Sequence, residues 1–277
     1  MRTRIVVTAA LCLLIAGMAF ADAPPAPYFD GFETVATGAD TWGGDGWNDY
    51  GSPTSDLIRL DVTSNGTLSR PGSNWVGRFT QGGPYTRFGG YDPTWPEGGF
   101  YESIDIYFDN ATSAGSQLEF SMAMSKPDGS HVQDFVYHMH RADSGDGFNV
   151  WASNNASIPG FVSGPTQDNV LVDSDGWYTL NTRWYANGDG NLAADMSILG
   201  GSGLINTWTR TNTALDVPTD VGGNRYGWFT WNTWDTVYID NVTRSEALGS
   251  DESPEPATWL LLACTGVAGW LRRRRSA

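Results

Sequence analysis

The chain has three histidines, His131, His138 and His140. Two of them fall in the run DFVYHMHRAD, where an extended backbone places His138 and His140 on one face with Asp134 and Val136. Two imidazoles on one strand supply half of a metal site, or can move a proton near neutral pH. A second group is aromatic: Tyr226, Trp228, Trp231 and Trp234 crowd together in RYGWFTWNTW. An exposed ring of this kind is a platform for a sugar, whose C–H bonds stack on its π face. Such rings also fill sandwich cores. Strand parity puts Tyr226 and Trp228 on one face and Trp231 on the other, so at least one ring is expected to face out. A third group is acidic. The turns DSGDG (143–147) and NGDGN (187–191) offer oxygen ligands for a structural calcium ion. Neither keeps the spacing of a calcium loop, both serve as tight turns, and metal content stays open. In ESIDIYFD, Glu102 and Asp105 fall on opposite faces of a strand, so they are no carboxylate pair for glycosidic displacement. The sequence has no Gly-rich phosphate loop, no Cys/His metal spacing and no Ser-centred nucleophile elbow.

These groups need a scaffold, and its pattern is β. Ile58, Leu60 and Val62 alternate with Arg59 and Asp61. Ile104, Ile106 and Phe108, then Leu118, Phe120 and Met122, alternate in the same way, and Val237 and Ile239 face opposite to Tyr238 and Asp240. Period-two runs separated by GGDG, KPDGS, DSGDG, NGDGN and GGSG predict about a dozen half-buried strands in an all-β, antiparallel sandwich. No linker or repeat divides the body, residues 22–244, which is long enough for one core. Thr207, Thr209, Thr211 and Thr213 alternate as the solvent face of an edge strand would. The net charge is −15, and six of the sixteen basic residues lie in the two ends. An acidic body of this kind repels nucleic acid and suits cations, neutral glycans or plain solubility. Cys12 and Cys264 lie in terminal apolar runs, so the body holds no disulfide.

The ends read as addresses. Arg2 and Arg4, the apolar stretch 5–20 and the small residues Ala19 and Ala21 around a cleavage point form a signal peptide, residues 1–21. At the other end, a polar tether (245–253) leads to Pro254, Glu255 and Pro256. Fifteen mostly apolar residues, 257–271, and then Arg272, Arg273, Arg274 and Arg275 follow. The apolar run is short for a permanent span, and the arginines hold the cytoplasmic side, so a single short membrane helix is expected to insert transiently. This order, over residues 254–277, resembles the PEP-CTERM sorting signal. The resemblance implies processing by exosortase, after signal peptidase has acted. It also implies transient residence in the inner membrane of a Gram-negative-type bacterium, then delivery to the cell surface or extracellular polysaccharide matrix.

The body carries a looser resemblance. FDGFE at 29–33, the hairpin-like stretch 173–200 and the late YIDNV look like a concanavalin A-like (laminin-G-like) jelly roll, in which the last strand pairs back near the first. That resemblance implies glycan-binding modules, hydrolases or lyases. Jelly-roll glucanases carry E-x-D-x-x-E, which ESIDIYFD does not keep. Jelly-roll lyases use His, Tyr and Arg, which would nominate His138, His140, Arg141 and either Tyr137 or Tyr185. The leading expectation is a non-enzymatic surface protein that touches carbohydrate through Tyr226, Trp228, Trp231 or Trp234. The alternatives are a polysaccharide lyase and a surface structural protein without a glycan ligand.

Overall fold

The computed structural model describes residues 28–33, 47–49, 57–63, 65–70, 72–80, 83–88, 90, 92–154 and 168–246. The signal peptide, the tether from 247 onward and the sorting tail lie outside the described residues. The strands are β1 (Tyr28–Asp30), β2 (Trp47–Asp49), β3 (Ile58–Asp61), β4 (Trp75–Phe79), β5 (Pro84–Thr86), β6 (Phe100–Phe108), β7 (Gln117–Ser125) and β8 (His131–Arg141). They continue with β9 (Phe148–Ser153), β10 (Val170–Val172), β11 (Gly176–Ala186), β12 (Asn191–Gly200), β13 (Gly203–Asp216), β14 (Asn224–Asn232) and β15 (Val237–Glu246).

They form two antiparallel sheets. One runs β13-β12-β11-β6-β15-β4-β3, with β1 beside β15 as its eighth strand. The other runs β10-β9-β8-β7-β14-β5-β2. The all-β sandwich expected from the alternation is thus observed. β15 reaches two residues into the stretch read as tether, where Ser245 and Glu246 pair with Tyr101 and Phe100.

The alternating runs supply the core. Ile104, Ile106 and Phe108 of β6 and Leu118, Phe120 and Met122 of β7 are fully buried between the sheets. Each such ring or branched chain stabilises the fold by about 2 kcal/mol through burial. Tyr137 pins one sheet to the other: its hydroxyl accepts from Ser197 N (2.9 Å) and donates to the Asn181 carbonyl. At one edge the sheets are stitched by Arg210, whose Nε donates to the Ala152 carbonyl (2.9 Å), and by Asn154, whose Nδ2 donates to Thr211 O (2.8 Å). The N-terminal FDGFE earns its place through Asp30, which accepts from Phe32 N (2.8 Å) and Trp47 Nε1 (2.9 Å).

Part of the outer face of the eight-stranded sheet is covered. The chain between β3 and β4 lays Val62 and Leu68 with Val76 over Tyr107, making a second small core. Trp177 Nε1 donates to Leu68 O (3.1 Å). Beside it, Asp105 and Asp240 sit directly opposite each other on β6 and β15. Arg70 bridges them, donating to Asp105 and lying 3.8 Å from Asp240. Thr179 and Asn241 also donate to Asp105. Burial lifts the Asp240 carboxyl to about 6, against the pull of the Asn241 backbone N–H, Ser73 and Arg70, while the Asp105 charge adds to the rise.

Candidate functional site

The outer face of the seven-stranded sheet is organised differently. Register places Trp231 of β14 opposite Glu119 of β7, Glu119 opposite His138 of β8, and His138 opposite Trp151 of β9. These four side chains therefore form one line across the sheet. The neighbouring line runs Phe229, Ser121, Val136, Ser153.

His138 is the centre of the polar part. Its ring lies flat on Trp151, with centroids 5.0 Å apart and planes 9° apart. Nδ1 is 2.7 Å from Glu119 Oε1, and Nε2 is 2.8 Å from Ser153 Oγ. An ionised carboxylate only accepts, so Nδ1 carries the proton toward Glu119 and Nε2 accepts from the Ser153 hydroxyl. Both His138 and Ser153 are buried, and Trp151 Nε1 is a buried donor with no partner among the described residues.

His140 shares this face, two residues along β8, and stands 3.9 Å from Asp143. Arg141 does not join them. It is buried at the strand end, where it donates to the carbonyls of Gly147 (2.9 Å) and Asn110 (2.9 Å) and lies over the Phe148 ring. Tyr137 points into the core, and Tyr185 bonds Asp195 on the other sheet (3.2 Å). The His, Tyr and Arg side chains of the lyase expectation are thus not gathered around His138.

The four aromatic candidates separate. Trp231 is 44% exposed. Trp234 is buried against Phe148 (5.1 Å) and Phe108 (5.9 Å). Trp228 is fully buried, stacked on Tyr137. Tyr226 lies on the outer face, half-buried, donating its hydroxyl to Asp134 Oδ1 (2.7 Å) and touching Tyr85 and Phe229. Burial pushes the Tyr226 phenol up, and Asp134 adds to the shift.

Tyr226 and Trp228 therefore do not share a face, as strand parity predicts. The reason is a bulge. Between Tyr226 and Phe229 the register with β7 slips by one residue, and Trp228 has φ +52°. Gly227 makes the bend possible, because a Cβ there would stand 2.3 Å from the Phe88 ring. After the bulge, Phe229 and Trp231 return to the outer face. Asp134 collects this edge: besides Tyr226, it accepts from Ser121 Oγ (3.2 Å) and faces His131 Nε2 (3.0 Å).

The acidic turns act as turns. Asn187 Oδ1 accepts from the N–H groups of Asp189 (3.0 Å) and Asn191 (2.9 Å), and Gly145 N donates to Ala142 O (2.8 Å). Among the described residues no three His, Cys, Asp or Glu side chains gather to hold a metal ion. Glu102 and Asp105 do lie on opposite faces. Glu102 points inward near Arg244 with both oxygens unpartnered, and burial raises its carboxyl to about 8 despite the Arg244 charge. Its partner in charge, Arg244, pairs with Asp92 at 2.9 Å.

Glu119, Trp151 and Ser153 are the site residues that sequence reasoning missed. Each sits at an outward position of an alternating strand, which is the signal that could have found them. Ala19 and Ala21, Pro254, Glu255 and Pro256, and Arg272 to Arg275 lie outside the described residues.

Residues 254–275 match the PEP-CTERM protein-sorting motif. That motif marks an exported protein sorted by exosortase. No curated protein matches the sequence. Among solved structures, the chain is similar to alginate lyase Aly36B at 13% identity and TM-score 0.45, over 81% of this chain and 98% of that one. It is similar to the PL-14 alginate lyase of Aplysia kurodai at 13% identity and TM-score 0.40, over 68% and 89%. It is similar to a Shewanella oneidensis MR-1 protein of unknown function at 8% identity and TM-score 0.41, over 88% and 96%.

Proposed function

We propose that this exported protein is a carbohydrate-binding component of the cell surface or extracellular matrix, and that the outer face of its seven-stranded sheet is the binding face. The single observation that carries this reading is Trp231: a large ring 44% exposed on a regular strand, in line with the polar row and flanked by Phe229 and Tyr226. Leaving a tryptophan in water costs burial energy that a sugar ring stacked on it would recover. The acidic body favours a neutral polymer over a polyanion. The sorting tail supports delivery to the compartment where such polymers lie. Signal peptidase, a transient stay in the inner membrane and release into the matrix complete the route.

The test is co-elution of the full chain, held in detergent, with neutral and acidic bacterial polysaccharides, followed by size chromatography of the polymer. Binding at full polymer length, weakened about tenfold in Trp231→Ala, supports the reading. A polymer that shortens, with unsaturated ends, replaces it with the lyase alternative. Absence of co-elution with every polymer leaves a surface protein without a glycan ligand.

A further inference from the structure

We infer that Glu119, His138 and Ser153 form a nucleophilic triad that transfers a small acyl group from an ester, first to Ser153 and then to water. The arrangement has the parts such chemistry needs: a carboxylate 2.7 Å from Nδ1, a hydroxyl 2.8 Å from Nε2, and a ring fixed between them. Three strands build it. β7 and β9 present Glu119 and Trp151 directly opposite His138 of β8, and Ser153 comes from the next outward position of β9. Trp151 beneath the imidazole blocks ring rotation, so the tautomer that Glu119 selects is held while Nε2 faces the hydroxyl.

The step balances. Ser153 Oγ bonds to the acyl carbon as its proton passes to His138 Nε2, and the carbonyl π pair moves to oxygen. Collapse of that oxyanion breaks the ester C–O bond, and the leaving alkoxide takes the proton from Nε2. Water then adds to the acyl carbon and gives one proton to Nε2; the tetrahedral intermediate collapses, the Ser153 Oγ–C bond breaks, the proton on Nε2 restores the Ser153 hydroxyl, and the product departs as the carboxylic acid, which ionises in solvent. His138 is an imidazolium in each half-reaction, and the Glu119 charge stabilises it. Trp151 Nε1–H, buried and unpartnered two residues from Ser153, is the donor assigned to the developing oxyanion.

Ser153 and His138 are both buried, which favours a small acyl group such as acetyl. The alcohol part follows from the line across the sheet. Trp231 is two strand spacings from His138, about 10 Å, so a sugar stacked on Trp231 lies within one or two residues of the triad. The substrate class is therefore an acetylated sugar. That last assignment rests on the carbohydrate-binding reading, and the triad does not.

The test uses the full chain in detergent, a fluorophosphonate probe and 4-nitrophenyl acetate. The expected result is one adduct, mapped by mass spectrometry to Ser153 and absent in Ser153→Ala. Glu119→Gln should slow labelling at least 100-fold with an unchanged near-ultraviolet spectrum. Trp151→Phe keeps the stack and loses the N–H, so labelling persists while acetate release falls at least tenfold. No adduct, or an adduct elsewhere, overturns the triad. If Ser153→Ala does not fold, mapping the adduct on the parent chain decides alone. The probe carries no sugar, so failed labelling leaves the Trp231 reading standing, and failed polysaccharide binding leaves the triad standing.

Discussion

The two outer faces of the sandwich spend their polar groups in opposite ways. On the eight-stranded sheet, Asp105 and Asp240 are sealed by Arg70, Thr179 and Asn241 under a small apolar lid that ends in Leu68 and Trp177. Arg70 is the cation that both carboxylates face. On the seven-stranded sheet the line through His138 runs out to Trp231, which keeps nearly half its surface in water. The first network is centred on one cation within the fold; the second lies in line with a ring that is 44% exposed, and it is the one proposed to meet a ligand. The lesson is that polar content on a sheet face does not by itself mark a site; a ring exposed in line with a polar row is what makes the seven-stranded face the candidate.

Four substitutions press on this contrast. Arg70→Met should have the largest effect, because it leaves two carboxylates facing each other across a strand pair with no cation between them. A loss of about 3 to 4 kcal/mol in urea unfolding is expected, with polysaccharide affinity unchanged. A loss below about 1 kcal/mol would show that the covered part of the face does not depend on Arg70.

Asp240→Asn comes next, and it acts through pH. The folded carboxyl, at about 6, lies above its ordinary 3.8, so its protonated form favours the fold. That contribution is complete below pH 3.8 and disappears as pH rises through 6. The asparagine variant should lose this slope and gain about 2 to 3 kcal/mol at pH 7, read from denaturation midpoints across pH 3 to 8. An unchanged slope would place the titration elsewhere, with Glu102 the first alternative.

Trp231→Ala should cost about tenfold in affinity, roughly 1.4 kcal/mol, while stability moves by less than about 0.5 kcal/mol. If stability falls and binding does not, the open face is only structural. The smallest effect belongs to Tyr226→Phe, which removes the donor to Asp134 and should cost about 1 kcal/mol of stability by thermal unfolding.

The sandwich was legible because period two is a local property. Ile104, Ile106 and Phe108 announce an inward face without reference to any other strand. The same rule failed at Trp228, since a bulge inserts one residue and parity cannot be counted through it. The cluster around His138 was half visible. His138, His140 and Asp134 read as sharing one face of a strand. Glu119, Trp151 and Ser153 reach His138 only through the register of β7, β8 and β9, and register is decided by the packing of whole strands. A Ser-centred motif search passes over Ser153 for the same reason, because its partners are far away in the chain.

β15, the last strand of the body, lies in the interior of its sheet, between β6 and β4 and against β1. A chain that lacked this segment would leave β6 and β4 without the strand that joins them. Such a chain would also lack Val237, Ile239 and Val242 from its core. The core is thus complete only with the strand that directly precedes the tail in the sequence.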